Sequence, residues 1–144
     1  MKFVFDIDGT LCFDGHTISE ELRAVLATAG HYGHELVFAT ARSYRDCLGL
    51  LTDSLKDSLV IALNGGLAYD KGQVIFEKNI DLTDYKSIIH WCQDANLPYF
   101  VDDDFDYATA RPEKMPFVAS VDPLQKAQQK NWDQLTHPIK MVIY

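Results

Sequence analysis

Short hydrophobic runs alternate with amphipathic stretches along the first half of this 144-residue chain. Apolar runs at residues 2–5, 35–40 and 59–63 are rich in Val, Phe, Leu and Ile, as is typical of buried strands. Apolar residues recur at helical spacing after Ser19, and a second leucine-rich stretch follows Ser43. Strand, helix, strand, helix, strand at this spacing predicts an α/β fold with a parallel sheet and right-handed crossovers.

The pattern changes after residue 66, where strand-like runs become shorter and turn residues more frequent. Asp-Lys-Gly between two strand-like runs is a hairpin signal. The elements expected here are, in chain order, a hairpin over residues 67–77, a helix from residue 83, a strand pair at 98–101 and 106–110, a moderately helical stretch at 124–135 and a strand at 139–144.

Two carboxylates, Asp6 and Asp8, follow the first apolar run and precede Gly9 and Thr10. Open α/β sheets bind ligands beyond the carboxyl ends of their strands, and two neighbouring carboxylates repel unless a proton or a cation neutralises one. Mg²⁺ suits such an oxygen-rich site. Gly9 lets the backbone approach a ligand, and the Thr10 hydroxyl can donate a hydrogen bond to an oxyanion. The pattern indicates phosphoryl chemistry at a carboxylate nucleophile.

Residues 6–11 read Asp-Ile-Asp-Gly-Thr-Leu and resemble the first motif of the haloacid dehalogenase-like (HAD) superfamily, Asp-x-Asp-Gly-Thr-Leu. The resemblance implies an aspartyl-phosphate mechanism in which Asp6 attacks phosphorus, while Asp8 protonates the leaving group and then activates water. It also implies Mg²⁺ as cofactor, held by the carboxylate of Asp6 and the backbone carbonyl of Asp8. A plain acidic turn is the alternative, but six matching residues behind an apolar strand favour the motif.

A second chemical position is Thr40, which also ends an apolar run and is therefore expected at the same sheet edge as Asp6. Its hydroxyl can hold a transferring phosphoryl oxygen. Residues 39–42, Ala-Thr-Ala-Arg, are similar to the Ala-Thr-Gly-Arg segment of Cof-type HAD phosphatases, with Ala41 where that family usually has glycine. Arg42 has two interpretations, a phosphate or carboxylate ligand and a surface ion pair at a helix start.

The third position is the Asn64-Gly65-Gly66 sequence that follows the third apolar run. By itself it indicates a turn, in which glycine supplies positive φ angles. Its place also resembles the Asn-Gly-Ala that follows the third core strand of Cof-type enzymes. That resemblance implies that Asn64 and Gly65 lie at the rim of the active site, where they support the nucleophile loop or touch the substrate.

The resemblance implies a partial Rossmann-like HAD core at residues 1–66 and an inserted α/β cap region at 67–144. Family members return from the cap to complete the core, adding a lysine that bridges nucleophile and phosphate and an acidic pair that completes the metal site. These motifs are not found after the cap here, so we expect a fragment or a shortened relative. The strand of Asp6 is then an open edge, to be covered by a second copy or by the missing C-terminal half.

Two alternatives stay open beside a phosphatase acting on a small metabolite such as a sugar phosphate. One is a truncated, non-catalytic binding module with the same fold. The other is a complete capless phosphatase, in which Lys86 and the pair Asp102 and Asp103 replace the missing lysine and acidic motif. A solvated hairpin end is the simpler interpretation of residues 102–104.

Composition narrows the classes of partner. There are 13 Lys and Arg against 21 Asp and Glu, a formal net charge of −8, and no basic cluster, which argues against nucleic-acid binding. Cys12, Cys47 and Cys92 are widely spaced and predict reduced thiols. With neither a signal peptide nor an apolar run of membrane-spanning length, we expect a cytoplasmic protein without a membrane partner.

Overall fold

The computed structural model describes the side chains of residues 1–52 and 54–144. Its contacts divide the chain into two compact units, Met1–Glu77 and Lys78–Tyr144. Residues 67–77 therefore group with the first unit, whereas the sequence placed the boundary between core and cap after residue 66. The division into family domains stays a prediction.

The first unit contains a five-stranded sheet in the order β1-β2-β3-β4-β5. Its strands are β1 (Lys2–Asp6), β2 (Glu35–Ala39), β3 (Leu59–Ala62), β4 (Leu67–Asp70) and β5 (Gln73–Glu77). The first three strands run parallel, and β4 and β5 form an antiparallel hairpin that pairs with β3. The predicted α/β class with a partial parallel sheet is confirmed, and so is the predicted hairpin.

The helices of the first unit are short. Helix α1 (Glu20–Ala27) begins at Ser19, whose hydroxyl accepts the N–H of Leu22 as an N-cap. Helix α2 (Tyr44–Cys47) ends earlier than the leucine-rich pattern predicts. Gly49 lies in that stretch and lowers the stability of a helix there. Leu50 and Leu51 are still buried, but they lie in turns and not in a helix.

The apolar core of the first unit lies under β2, β3 and β4, and β1 is poorly covered. Phe38, Val60 and Leu67 are fully buried, whereas Val4 in β1 is 62% exposed. Among the strands that the structure describes, β1 pairs with β2 alone, which is the edge position expected from the sequence.

The second unit contains helix α3 (Leu82–Asp94) and an antiparallel sheet in the order β7-β6-β8. Its strands are β6 (Tyr99–Asp102), β7 (Tyr107–Ala110) and β8 (Lys140–Ile143). Buried side chains of the helix pack against those of the sheet in one cluster that includes Ile89 and Val101. The predicted helix, strand pair and final strand of this half are confirmed.

The predicted helical character of residues 124–135 is wrong. The region forms turns, with a 3-10 segment at Trp132–Gln134. The carboxylate of Asp122 accepts the N–H groups of Lys126 and Ala127 at 2.8 and 2.9 Å, and Gln125 has a left-handed φ of 52°. These side-chain hydrogen bonds take backbone donors that a helix would use.

The capless alternative requires the strand of Asp102 to join the sheet of Asp6. Strand β6 is instead the middle strand of the separate three-stranded sheet, with β7 and β8 on its two sides. That alternative is therefore wrong. The interpretation of residues 102–104 as a solvated hairpin end also needs correction, because Asp102 and Asp103 are only 5% and 7% exposed.

The three cysteines are free and buried, and burial raises the pKa of the Cys47 thiol to about 12. Within the described part of the chain, none of the helices combines the length and the apolar character needed to cross a membrane.

Candidate active site

The ends of the three parallel strands bring together the side chains that the sequence singled out. Asp6 ends β1, Thr40 follows β2, and Asn64 lies just beyond β3. The strands are in register there, since Asp6 pairs with Ala39 and Ala39 pairs with Ile61. One open cavity of about 440 Å³ lies at these strand ends, and it is lined by Asp6, Ala39, Thr40, Ala41, Ile61, Asn64 and Gly65. The expected common edge of Asp6 and Thr40 is thus present.

A tight turn follows Asp6 and fixes the position of Asp8. The carbonyl of Ile7 accepts the N–H groups of Leu11 and Cys12 at 2.9 and 2.8 Å, and the Gly9 N–H donates to the Cys12 carbonyl at 2.8 Å. Gly9 has φ +77°, a conformation that favours glycine, and among the described residues other than its two chain neighbours none comes within 4 Å of the place where a Cβ would stand. The turn therefore leaves open space beside its backbone, and Gly9 and Thr10 are both exposed.

The carboxylate of Asp6 is available to a ligand. Its Oδ1 accepts the N–H of Ile7 at 2.8 Å, which orients the group at the end of β1. None of the Lys, Arg and His side chains that the structure describes forms an ion pair with it. An exposed carboxylate with one free oxygen, bordering an open cavity, can act as a nucleophile or as a metal ligand.

Asp8 is instead held by Arg42 in a two-point ion pair. The Nε of Arg42 donates to Oδ2 of Asp8 at 2.8 Å, and its Nη2 donates to Oδ1 at 2.6 Å. The same Nη2 also donates to the carbonyl of Gly15 at 2.8 Å. Hydrogen bonds from Arg42, and its charge, lower the pKa of Asp8 although burial opposes this, and the pKa of Arg42 is raised. The ion-pair interpretation of Arg42 is the one present here, with Asp8 as its partner.

We expect Arg42→Gln to raise the pKa of Asp8 towards its ordinary value, because the paired guanidinium is the main cause of the depression. A depressed carboxyl pKa stabilises the fold above the unfolded pKa, and this contribution is lost as the pH falls through the folded value. In the variant the folded and unfolded pKa values of Asp8 lie closer together, so this contribution to stability is smaller. The side chains are partly exposed, so the stability change is small and the titration itself is the better measure.

Carbon-13 NMR of the carboxyl groups would follow this titration. Arg42→Lys is the matched control, since lysine keeps the positive charge but cannot form the two parallel hydrogen bonds of the guanidinium. The pKa of Asp8 should rise less in this variant than in Arg42→Gln. Asp81 is an internal reference, because its pKa is lowered by the backbone N–H groups at the start of α3 and should not move. An unchanged Asp8 titration in Arg42→Gln would contradict the assignment.

Thr40 joins the loop after β2 to the loop after β3. Its N–H donates to the Ile61 carbonyl at 2.9 Å, and its own carbonyl accepts the N–H of Asn64 at 3.2 Å. Its Oγ1 accepts the N–H of Arg42 at 3.1 Å, which leaves the hydroxyl proton for another acceptor. The side chain is only 6% exposed and lines the cavity, so a bound phosphoryl oxygen is a suitable acceptor for it.

The loop after β3 bends sharply at its first residues. Leu63, Asn64 and Gly65 have φ angles of 51°, 58° and 92°, three left-handed residues in a row. The Leu63 N–H donates to the Arg42 carbonyl at 2.9 Å, which ties this bend to the neighbouring loop. Strain of this kind persists only where the surroundings hold it, and here it places Asn64 and Gly65 at the cavity.

The sequence analysis did not identify Asp14, which stabilises the loop next to Arg42. Its carboxylate accepts the N–H groups of His16 and Thr17 and the Thr17 hydroxyl, at 2.8, 2.7 and 2.6 Å. These hydrogen bonds hold the pKa of Asp14 well below its usual range and close the loop that carries the Gly15 carbonyl. The Asp-Gly pair at 14–15 is a turn signal that could have indicated this support for Arg42.

The oxygen donors at this edge of the sheet are of the type that Mg²⁺ prefers, but they are too few to complete its coordination shell. The carboxylate of Asp6 and the backbone carbonyl of Asp8 are hard ligands, but the Asp8 carboxylate is taken up by Arg42. No group of three His, Cys, Asp or Glu side chains suitable for a metal occurs among the residues that the structure describes. The pair can supply part of a coordination shell.

Residues 3–143 match the sequence model of a family described as haloacid dehalogenase-like hydrolase. The chain is 31% identical over 114 residues to an HMP-PP phosphatase of Serratia proteamaculans, covering 77% of this chain and 42% of that protein. It is 30% identical over 103 residues to a Bacillus subtilis protein named Phosphatase YwpJ, covering 70% of this chain and 36% of that protein. The chain thus spans less than half the length of these relatives.

The fold is also similar to a solved structure described as a HAD subclass IIB sugar phosphatase, with a TM-score of 0.76 at 24% identity. The match covers 99% of this chain and 58% of that one. At this identity the likeness concerns the fold, and it agrees with the α/β architecture described above.

Proposed function

The chain belongs to the haloacid dehalogenase-like hydrolase family, and from this premise we propose that it is the nucleophile-bearing part of a phosphatase for a small phosphorylated metabolite. The observation that carries the proposal is the convergence of Asp6, Thr40 and Asn64 on one open cavity at the ends of three parallel strands. The relatives named as phosphatases agree with it. A sugar phosphate is a reasonable first substrate, since one protein of similar fold is described as a sugar phosphatase.

In the proposed reaction the free carboxylate oxygen of Asp6 attacks the phosphorus of a phosphate monoester. The bond from phosphorus to the ester oxygen breaks, and the departing alkoxide takes a proton from Asp8. A water molecule then attacks the aspartyl phosphate and gives a proton to Asp8, releasing inorganic phosphate and restoring the Asp6 carboxylate. Covalent catalysis of this kind replaces one difficult displacement with two easier ones.

The ion pair with Arg42 favours one of the two proposed roles of Asp8. A carboxylate bound at both oxygens by a guanidinium is ionised and can accept a proton. To donate a proton first, Asp8 has to leave Arg42 or exchange one of its hydrogen bonds. The geometry therefore supports activation of water more directly than protonation of the leaving group.

We propose Mg²⁺ as the cofactor, held by the Asp6 carboxylate and the Asp8 backbone carbonyl, where it would neutralise phosphate charge. With one free carboxylate at the site we expect weak binding, in the millimolar range or poorer, because Mg²⁺ gives up its water reluctantly. Titration calorimetry on the 144-residue chain measures this, with Asp6→Asn as the control that removes the remaining carboxylate. Binding of Mg²⁺ by the chain with a micromolar dissociation constant would contradict the interpretation that the site is incomplete.

We expect Thr40→Val to lower kcat/KM for phosphate release roughly 10²-fold, as removal of a single donor to a transferring oxygen typically does. Valine keeps the shape of threonine and removes the hydroxyl. Thr40→Ser is the matched control and should retain most of the activity, and thermal melting of both variants checks that the fold survives. Equal activity of the valine and serine variants would show that the hydroxyl does not bind the phosphoryl group.

A second candidate is a module that binds a phosphorylated ligand without turning it over. The single free carboxylate and the lack of a cation paired with Asp6 among the described side chains favour it. Phosphate release from aryl and sugar phosphates, with Mg²⁺ and with a chelator, tests the phosphatase. NMR shifts of the Thr40 and Asn64 amides with inorganic phosphate, but no metal-dependent release, would favour the binding module.

A further inference from the structure

The bend after β3 contains an asparagine followed by a glycine, Asn64-Gly65, and both residues are exposed. The other asparagines of the chain precede bulky residues, in the pairs Asn79-Ile80, Asn96-Leu97 and Asn131-Trp132. The backbone nitrogen of the residue after an asparagine can attack its side-chain amide, and glycine hinders this attack least because it has no side chain. Asn64 is therefore the asparagine whose side-chain amide is chemically most labile.

The reaction has two steps. First, the Gly65 nitrogen forms a bond to Cγ of Asn64, and the bond from Cγ to the side-chain nitrogen breaks. The proton of the Gly65 nitrogen ends on that leaving group, which departs as ammonia. Water then opens the five-membered ring at either of its carbonyl groups, which leaves aspartate or isoaspartate where Asn64 stood.

The backbone conformation of Asn64 opposes the first step. Ring closure requires the Gly65 nitrogen to lie on the same side of the Cα–C bond as Cβ. Asn64 has φ 58° and ψ 30°, and at this ψ the Gly65 nitrogen lies nearly opposite to Cβ. The folded bend therefore holds the two reacting atoms apart.

Backbone hydrogen bonds keep the bend in this conformation. The N–H of Asn64 donates to the Thr40 carbonyl at 3.2 Å, and the N–H of Leu63 donates to the Arg42 carbonyl at 2.9 Å. The N–H of Gly66 donates to the Leu63 carbonyl at 3.1 Å, and the Leu63 side chain is only 3% exposed. Rotation about ψ of Asn64 requires these contacts to open, which is a local unfolding event.

We propose that Asn64 is the site at which this chain loses a side-chain amide, and that opening of the bend after β3 controls the rate. The product has a new carboxylate in the cavity that Asp6 also lines. Two neighbouring carboxylates repel each other and any bound anion, so the modification alters the charge of the candidate site. The proposal does not depend on phosphatase activity.

Peptide mass spectrometry of the 144-residue chain, incubated in mildly alkaline buffer with and without urea, tests the proposal. Amide loss should occur first at Asn64, and it should be slower in the folded chain than in urea by on the order of tenfold or more. Asn96 is an internal reference, because it is also exposed and left-handed, with φ 56°, but precedes Leu97. It should keep its amide over the same period.

Two glycine variants separate the chemistry from the opening. Gly65→Ala should slow amide loss in urea, where the methyl group hinders the attacking nitrogen and the folded φ of +92° has no influence. Gly66 has φ −73° and ψ −18°, which alanine adopts readily. Gly66→Ala should therefore stabilise the bend and slow amide loss about two- to fivefold in the folded chain, with no change in urea. Thermal melting checks that this variant folds.

Hydrogen exchange of the Asn64 backbone N–H measures the opening independently. Its protection factor should equal the ratio of the amide-loss rates in urea and in the folded chain, because one opening exposes both groups. Equal rates of amide loss in the folded chain and in urea, or earlier loss at another asparagine, would overturn the proposal. Loss faster than the protection factor allows would also overturn it, since the ring would then close without opening of the bend.

Discussion

Asp6→Asn should lower phosphate release from an aryl phosphate by on the order of 10³-fold or more, because loss of a covalent nucleophile removes the proposed pathway. Asparagine has nearly the same shape and still accepts the N–H of Ile7, so the end of β1 is kept. Release is measured with Mg²⁺ in excess, on the 144-residue chain and on any longer form that is active.

Asp70→Asn is the matched control for this substitution. Asp70 also ends a strand of the same sheet, but β4 runs antiparallel, and Asp70 lines a different cavity together with Lys2 and Glu35. It should leave the rate unchanged. Full activity of Asp6→Asn, with a melting temperature like that of the parent, would refute the aspartyl-phosphate mechanism.

The parallel core could be predicted because its signals are local and agree with one another. Each apolar run is long enough for a strand, and the chemistry-bearing residues Asp6, Thr40 and Asn64 follow three such runs directly. Parallel pairing then brings strand ends together without knowledge of any side-chain contact. This is why the common edge of Asp6 and Thr40 could be predicted from the pattern alone, whereas the place of Asn64 at the site was implied only by the family resemblance.

The contacts inside the site could not be predicted in the same way. Arg42 lies 34 positions from Asp8 in the sequence. Its guanidinium reaches the carboxylate because the turn at Gly9 and the loop closed by Asp14 bring the two side chains together. The sequence left a phosphate ligand and a surface ion pair as equal interpretations of Arg42. Long-range geometry of this kind has no periodic signal in the chain.

Errors in the second half have a related cause. Residues 124–135 contain helix-forming Gln and Lys, but the capping carboxylate of Asp122 competes for their backbone donors. Asp102 and Asp103 are of a residue type that is usually solvated, yet both are buried at the end of β6. In each case the tertiary environment overrides the average behaviour of the residue.

Asp8→Asn should lower turnover ~10²–10⁴-fold, the usual contribution of general acid–base catalysis. An aryl phosphate has a good leaving group, so its first step needs little help from a proton donor. The second step still requires a base for water. We therefore expect the phosphorylated form of Asp6 to accumulate in this variant, visible as a burst of phenol and as added mass on the intact protein.

Arg42→Gln separates this chemical loss from the loss of the ion pair. Both variants remove the ion pair between Arg42 and Asp8, but only Asp8→Asn removes the group that exchanges protons. Arg42→Gln should therefore lose much less activity than Asp8→Asn and show no burst. Below neutral pH, its rate should fall at a higher pH than that of the parent, because the pKa of Asp8 is raised. Equal losses in the two variants would mean that Asp8 acts by positioning Arg42 rather than by transferring protons, because a structural partner is lost to the same extent in both.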